Sequence, residues 1–267
     1  MMKIGFIGLG NMGGSLARLV AQDERFRSEL LLANRSRDKA EKIAAEVGGQ
    51  PVSNKEVFAQ AEVIFLGVKP AQFEDLLADY QEVLEERDSL LLVSMAAGLT
   101  LEILEKLTPS HHRWIRIMPN TPVAVGEGVI TYALSQQAKQ ADEDMLRELL
   151  SSTGLLVKLE EKQLDAATAL AGCGPAFVYL FIEALADAGV RAGLSRDIAL
   201  QLANQTLLGA AKLSQISGQH PAQLKDQVCS PAGSTIAGVA SLEENAFRGT
   251  VMAAVQAAYK RTQELGK

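Results

Sequence analysis

The stretch Lys3-Ile4-Gly5-Phe6-Ile7-Gly8-Leu9-Gly10-Asn11-Met12-Gly13, with the helical run Ser15–Ala21 behind it, decides how the first half of the chain folds. A short apolar strand enters Gly-x-Gly-x-x-Gly and leaves as a helix. The first glycine of such a turn makes the tight bend, and the second lets backbone N–H groups approach a pyrophosphate. The third lets helix and strand touch, and the helix N-terminus adds positive potential. With a strand before it and a helix after it, the motif predicts a dinucleotide-binding turn rather than a merely structural one. Gly8, Gly10, Asn11, Met12 and Gly13 are its cofactor contacts.

Outward from this turn the pattern repeats. Strands are predicted at Lys3–Ile7, Glu29–Ala33, Val63–Val68, Ser89–Ser94, Arg113–Ile117, Val129–Tyr132 and Leu155–Lys158, with helical periodicity at Leu16–Ala21, Asp38–Val47 and Phe73–Leu84. Apolar strands alternating with helices indicate a parallel sheet covered on both faces. From about Glu160 the strand signal disappears. Ala/Leu-rich stretches occupy 161–193, 196–217 and 243–265, broken by Gly193-Leu194-Ser195, Gly218-Gln219-His220-Pro221 and Ser230-Pro231. The chain therefore reads as an α/β Rossmann-type dinucleotide-binding domain, residues 1–160, followed by an all-α domain, residues 161–267, with no Pro/Gly linker at the join.

The segment Ala176-Phe177-Val178-Tyr179-Leu180-Phe181-Ile182 is apolar all round, so a helix there must be buried on every side. It is either the central helix of its own domain or interlocked with a second subunit, the reading favoured here.

The end of the second predicted strand addresses which dinucleotide binds. A free ribose 2′-hydroxyl is usually held by an acid about 20 residues past the glycines. Here the sequence is Ala33-Asn34-Arg35-Ser36-Arg37, with no acid before Asp38. Arg35 suits adenine stacking and a 2′-phosphate, and Asn34 and Ser36 offer neutral hydrogen bonds, so NADPH is expected, with NADH as the alternative. Ligands of open parallel sheets lie beyond the carboxyl ends of the strands. Three further strand ends carry unusual residues: Val68-Lys69-Pro70, Ser94-Met95-Ala96-Ala97-Gly98 and Met118-Pro119-Asn120-Thr121-Pro122. Together they outline a nicotinamide channel, and Asn120 is assigned to its substrate side.

Composition excludes several classes. With 26 basic and 32 acidic residues and a net charge of −6, the chain is no general nucleic-acid binder. Two cysteines, Cys173 and Cys229, make no disulfide framework, and three histidines without ligand spacing give no metal site. The longest uninterrupted apolar run, Ala176–Ile182, is short of a membrane span, and the first residues lack the apolar segment of a signal peptide. A cytoplasmic protein without a membrane partner is expected.

The chain resembles the pyrroline-5-carboxylate reductases essentially end to end. The strongest words are Ala171-Gly172-Cys173-Gly174-Pro175-Ala176-Phe177 through Asp187, Gly209-Ala210-Ala211-Lys212, His220-Pro221, Leu224-Lys225-Asp226, and Ser230-Pro231-Ala232-Gly233-Ser234-Thr235-Ile236. The resemblance implies NAD(P)H contacts at Gly8 to Gly13, Asn34 to Ser36, Asn54, Val68 to Pro70 and Met95 to Ala97. It implies a substrate-carboxylate loop at Ser230, Gly233, Ser234 and Thr235, and helical domains interlocked as homodimers, often built into decamers. The implied reaction is hydride transfer to the C=N carbon of L-1-pyrroline-5-carboxylate, giving L-proline. Three departures stand out. Cys173 and Phe177 replace Ser and Tyr of the family's Gly-Ser-Gly-Pro-Ala-Tyr, Ala232 replaces the first Gly of Ser-Pro-Gly-Gly, and Ser234 replaces the first Thr of Thr-Thr. Cys173 reads as a packed small hydrophobe.

The residues themselves support that chemistry. A helix starting at Ser230-Pro231, or alternatively at Ser234, would point free N–H groups at a carboxylate without a basic residue. Hydride chemistry belongs to the nicotinamide, and no His, Cys or carboxylate stands out as an obligatory acid. Thr235 is therefore assigned a hydrogen-bonding or proton-relaying role. The β-hydroxyacid dehydrogenases share the two-domain plan but need a lysine on the first long helix of the second domain, and none occurs between Lys162 and Lys212. A reductase of six-membered cyclic imine acids, and a non-catalytic NADP sensor, remain as alternatives, although a sensor would not need the Ser230–Ile236 loop.

Overall fold

Eight short segments pair into one sheet in the computed structural model, which describes residues 2–265. They are β1 (Ile4–Ile7), β2 (Leu30–Ala33), β3 (Gln50–Pro51), β4 (Val63–Leu66), β5 (Leu91–Ser94), β6 (Arg113–Pro119), β7 (Gly128–Leu134) and β8 (Gly154–Lys158), in the order β3-β2-β1-β4-β5-β6-β7-β8. The helix α1 (Asn11–Val20) and the single turn α2 (Glu24–Arg27) lead from β1 to β2. Next come α3 (Arg37–Val47) before β3, α4 (Asn54–Gln60) before β4, and α5 (Phe73–Ala78) with α6 (Gln81–Glu86) before β5. Beyond β5 lie α7 (Leu101–Lys106), which precedes β6, and α8 (Gln140–Leu149), which precedes β8.

Residue alternation along the strands builds the two layers. Phe6, Leu32, Phe65, Val93 and Ile117 enter one buried cluster, while Ile7, Leu31, Ile64, Leu92 and Trp114 enter the other. Phe6 and Phe65 stack across β1 and β4 with centroids 4.7 Å apart and planes within 7°. At Gly5 a Cβ would overlap Val57, so the glycine lets α4 lie close on β1.

Two features depart from the sequence expectation. The sheet is not wholly parallel: β6 and β7 pair antiparallel, Ile117 opposite Tyr132. The connection between them is too short for the crossover a parallel neighbour needs, consisting mainly of the 3₁₀ turn Thr121–Val125 and a left-handed Gly126. The two-residue edge strand β3 escapes sequence reading because Gln50-Pro51 is exposed and proline is tolerated only at such edges.

Past β8, α9 (Leu164–Ala167) continues into a π-helical turn at Thr168–Gly172. The chain divides into two compact units, one running to Cys173 and including the stretch from Ala258, the other Gly174–Ala257. The division thus falls later than the change of composition at Glu160. The helices α10 (Gly174–Arg191), α11 (Arg196–Ser217), α12 (Pro221–Gln227), α13 (Ser234–Glu244) and α14 (Phe247–Leu265) complete the chain. The hairpin α10–α11 closes on small residues, Ala186, Ala199 and Ala203.

One buried polar group stitches the start of β5 to its neighbours. His112 Nδ1 accepts the Leu90 N–H at 3.2 Å, and its Nε2 lies 3.0 Å from the Leu84 carbonyl. That pair of partners requires the neutral ring with the proton on Nε2. Burial, and then the adjacent His111, push the pKa of His112 down to about 4. The folded pKa lies below the unfolded value of about 6.5, so the unfolded chain binds the proton first. The contribution is complete above pH 6.5 and is lost as pH falls toward 4. Unfolding free energies from urea titrations at pH 7, 5.5 and 4.5 should fall for the wild type, by about 2–3 kcal/mol over the window, with a markedly flatter dependence in His112→Asn.

Candidate active site

The order of strands reverses between β1 and β4, and the turns that follow these two strands meet. Gly8 has φ +92°, and a Cβ there would stand 2.7 Å from the Gly67 carbonyl carbon. A Cβ on Gly13 would overlap the Gly8 carbonyl oxygen, so the start of α1 is pressed against the turn. Packing within the protein explains these two glycines. It does not explain Gly10, which has ordinary φ −63° and open space beyond its Cα. No side chain caps α1, and the N–H groups of Asn11, Met12 and Gly13 have no intrahelical acceptor. Open space over a glycine, beside three free donors at a helix N-terminus, fits a pyrophosphate.

The end of β2 is held to this turn by Asn34. Its Oδ1 accepts the Leu9 N–H at 3.0 Å and its Nδ2 donates to the Ser36 carbonyl at 3.1 Å. The carboxamide predicted to contact cofactor is thus occupied in shaping the wall that faces it. A cavity of about 710 Å³ opens beyond, lined by Gly8, Gly10, Asn34, Arg35, Ser36, Asn54, Val68 and Lys69 of the predicted set. It is also lined by Lys39, Gln72, Asp75 and Asp79, which sequence reading missed. Lys39 stands in the first turn of α3, behind a Ser36 N-cap whose hydroxyl makes no capping bond. Among the described residues Arg35, Lys39 and Lys69 form no ion pair, whereas Arg37 is tied to Glu41 at 2.9 Å. Asp38, the first acid after β2, does not line the cavity. The wall formed by the end of β2 and the start of α3 therefore carries Arg35 and Lys39 and no carboxylate.

The remaining predicted cofactor residues lie at the carboxyl ends of β4 and β5. Pro70 opens the 3₁₀ turn that follows Lys69. Met95 touches the space beside Gly67, Ala96 is buried with its N–H on the Ser94 hydroxyl, and Ala97 precedes a left-handed Gly98. Asn120 is buried and fully engaged with backbone: Oδ1 accepts the Val129 N–H at 2.8 Å, and Nδ2 donates to the Ala171 carbonyl at 3.0 Å.

The second unit carries the predicted carboxylate loop. Of the two helix starts open to the sequence, the structure takes Ser234. Ser230 to Gly233 is a turn in which the Gly233 N–H donates to the Ser230 carbonyl at 3.0 Å. Ala232 sits in it at φ +57°, a left-handed position that costs a non-glycine residue roughly 1–2 kcal/mol. With Gly233 as N-cap and no capping side chain, the N–H groups of Ser234, Thr235 and Ile236 lack intrahelical acceptors. Ser230, Ser234 and Thr235 are exposed on this chain. In α10, Val178, Tyr179 and Leu180 are 45, 59 and 65% exposed, which overturns the reading of this helix as the core of its own domain. The stretch Glu161–Arg191, in which Ala176–Ile182 is the longest uninterrupted apolar run, is by length and composition alone apolar enough to cross a bilayer.

A family model described as pyrroline-5-carboxylate reductase dimerisation matches residues 161–265, and one described as NADP oxidoreductase, coenzyme F420-dependent, matches residues 3–98. A pyrroline-5-carboxylate reductase of Pisum sativum is 44% identical over 98% of this chain and 95% of its own length. One from Synechocystis sp. is 41% identical over 100% and 99%. Among solved structures, the Plasmodium falciparum pyrroline carboxylate reductase with NADP bound has a TM-score of 0.88 at 36% identity, covering 100% of this chain and 98% of that one. A pyrroline-5-carboxylate reductase from Coxiella burnetii has a TM-score of 0.91 at 30% identity, covering 100% and 99%. A nicotinamide dinucleotide cofactor and assembly through the helical unit accord with these matches.

The two kinds of glycine in the turn separate experimentally. Gly10→Ala should fold with stability within about 1 kcal/mol of wild type and bind reduced cofactor at least tenfold more weakly by fluorescence titration. Gly13→Ala should lose several kcal/mol in chemical denaturation, because its methyl group meets backbone.

Proposed function

The chain belongs to the pyrroline-5-carboxylate reductase family, enzymes of proline biosynthesis, and from that premise we propose how its own residues reduce L-1-pyrroline-5-carboxylate to L-proline with NADPH in preference to NADH. What supports the preference is one observation: the cavity-lining residues contributed by the end of β2 and the start of α3 are Asn34, Arg35, Ser36 and Lys39, none of them acidic, while its two carboxylates, Asp75 and Asp79, come from the segment after β4. Gly8 to Gly13 hold the pyrophosphate, and Asn54, Val68 and Lys69 line the same crevice, with Pro70 opening the turn that follows. Met95 to Ala97 leave room for a flat ring at the end of β5. When bound, the reduced nicotinamide supplies the hydride.

The substrate carboxylate is received by the free N–H groups at the start of α13, a site made of backbone and small side chains rather than a cation. Ser230, Gly233 and Ser234 shape it. Thr235 stands in the first turn of that helix, and its hydroxyl hydrogen-bonds the imine nitrogen. A hydroxyl is a weak acid at neutral pH, so Thr235 orients the imine: its oxygen accepts the N–H of a nitrogen that arrives protonated, and for a neutral imine its hydroxyl gives its proton to nitrogen and takes one from water. The product amine gains one hydrogen at carbon and one at nitrogen.

The reading includes a homodimer, assembled further into a decamer, in the cytoplasm. What supports the dimer is the helical unit: its only fully buried apolar residues among those described are three alanines, and large apolar side chains of α10, α11 and α14 lie exposed. A second copy would cover that face, as the matched dimerisation model implies. Free thiols at Cys173 and Cys229 accord with a reducing compartment.

The test is oxidation of NADPH, and separately of NADH, followed at 340 nm with racemic pyrroline-5-carboxylate. Turnover with the lower KM for NADPH is expected. Arg35→Ala should weaken NADPH about 10–100-fold while leaving NADH within a few-fold, since one charge-assisted pair is worth about 1.5–3 kcal/mol. Equal losses for both cofactors would remove the 2′-phosphate assignment. Thr235→Ala should lower kcat by about 10²-fold or more; near-full turnover would leave Thr235 without a chemical role.

A further inference from the structure

Asn120 stands where β6 ends, and the bonds of its side chain explain a proline 55 positions further on. Its Oδ1 accepts the Val129 N–H and its main-chain N–H donates to the Val129 carbonyl, so one edge of the residue is locked to β7. The other edge, Nδ2, donates to the Ala171 carbonyl at 3.0 Å. Ala171 lies in the π-helical turn Thr168–Gly172, where the Cys173 N–H reaches back to the Thr168 carbonyl at 3.0 Å. In a continuing α-helix the Ala171 carbonyl would take the N–H of residue 175. Residue 175 is proline and has none. The asparagine supplies the donor that the proline withholds.

The same segment is fastened at a second point on the same strand. The Arg116 guanidinium, 3% exposed, reaches Glu161 at 3.2 Å and Asp165 at 3.5 Å, and Glu161 Oε1 also accepts the Leu101 N–H at 2.6 Å. Arg116 therefore holds the beginning of the 161–172 segment and Asn120 its end, immediately before the chain passes from the first compact unit to the second at Cys173 and Gly174. π-Turns are irregular and persist where neighbouring groups satisfy their displaced backbone bonds.

We infer that Asn120 is a positioning residue for the reduction, paired with Pro175: it fixes the turn from which the chain leaves the cofactor-binding unit toward α10. This inference rests on the reading given under Proposed function, in which cofactor is held by the first unit and the carboxylate loop is carried by the second. Hydride transfer demands accurate placement of the two reactants, whereas binding of the dinucleotide needs the first unit alone. Loss of the Asn120 bond should therefore appear in kcat and not in cofactor affinity.

The discriminating variant is Asn120→Asp, which keeps an oxygen for the Val129 N–H and sets a second oxygen against the Ala171 carbonyl. It is measured alone and with Pro175→Ala, which returns an N–H at position 175. Asn120→Asp should lower kcat by roughly 10–100-fold with the NADPH dissociation constant within about twofold, and should speed amide hydrogen exchange across 168–173. In the Pro175→Ala background the same substitution should cost much less in kcat, and exchange should return toward the unsubstituted level. An equal kcat loss in both backgrounds would overturn the pairing and make Asn120 a direct substrate contact. Unchanged exchange at 168–173 in Asn120→Asp would overturn it even if the Pro175 variants fail to fold. Wild-type protein that binds NADPH yet turns over no pyrroline-5-carboxylate would instead refute the functional reading, while the exchange data still judge the bond.

Discussion

The first unit depends on a backbone-to-backbone contact where β1, β4 and the start of α1 converge. Gly8, Gly13 and Gly67 each lack the Cβ that would strike main chain of another, so two strands and a helix approach more closely than side chains permit. Everything at the carboxyl edge follows from that approach. The helix N-terminus is brought over the crevice, Asn34 ties the end of β2 to the turn, and the cavity opens between them. Gly10 alone is free of protein neighbours. The same turn thus contains glycines that serve packing and one that leaves room for a ligand.

A second set of constraints runs through β6. This strand pairs parallel with β5 and antiparallel with β7, so it stands where the regular alternation of strand and helix ends. Its Arg116 and the adjacent Asn120 are both buried and both directed at the 161–172 segment. Buried polar groups of this kind are costly unless matched, and their partners here are a pair of carboxylates and a carbonyl without an N–H. The 161–172 segment, with its irregular π-turn, is thereby fastened at both ends to β6 and the residue after it. In the helical unit the balance is reversed. Small alanines bring α10 and α11 together, and the larger side chains remain exposed. Its composition is that of an interior, which becomes one when a partner surface covers it.

Much of this was legible in residue order. The strand–glycine–helix signal at Lys3–Ala21 and the acid-free end of β2 depend on neighbours within a few positions, and both elements form where the sequence places them and border one cavity. Strand ends were read to within a few residues because apolar runs end abruptly at Gly, Asn and Pro. Lys39, Gln72, Asp75 and Asp79 were missed because they belong to a helix start, a 3₁₀ turn and a short helix with its C-cap that carry no motif, and only the cleft brings them together. The strand β7 is predicted, but its antiparallel direction is not, although the short spacing after Met118-Pro119 carries the signal, since a connection of that length leaves no room for a crossover helix.

Asn120 marks the limit of such reading. Its place after a strand suggests a substrate-side residue, but nothing in the order of residues shows that its side chain bonds Val129 and Ala171. The sequence by itself determined the family, the two kinds of fold, the dinucleotide turn and the helix that could not remain uncovered, because each is written in local periodicity or in contiguous words. Only the tertiary structure decided that α13 begins at Ser234, that Ala232 is held left-handed, that Lys39 joins Arg35 and that Asn120 meets Ala171. Those outcomes depend on which backbone groups are left without partners once the chain is folded. That accounting closes in three dimensions and not along the sequence.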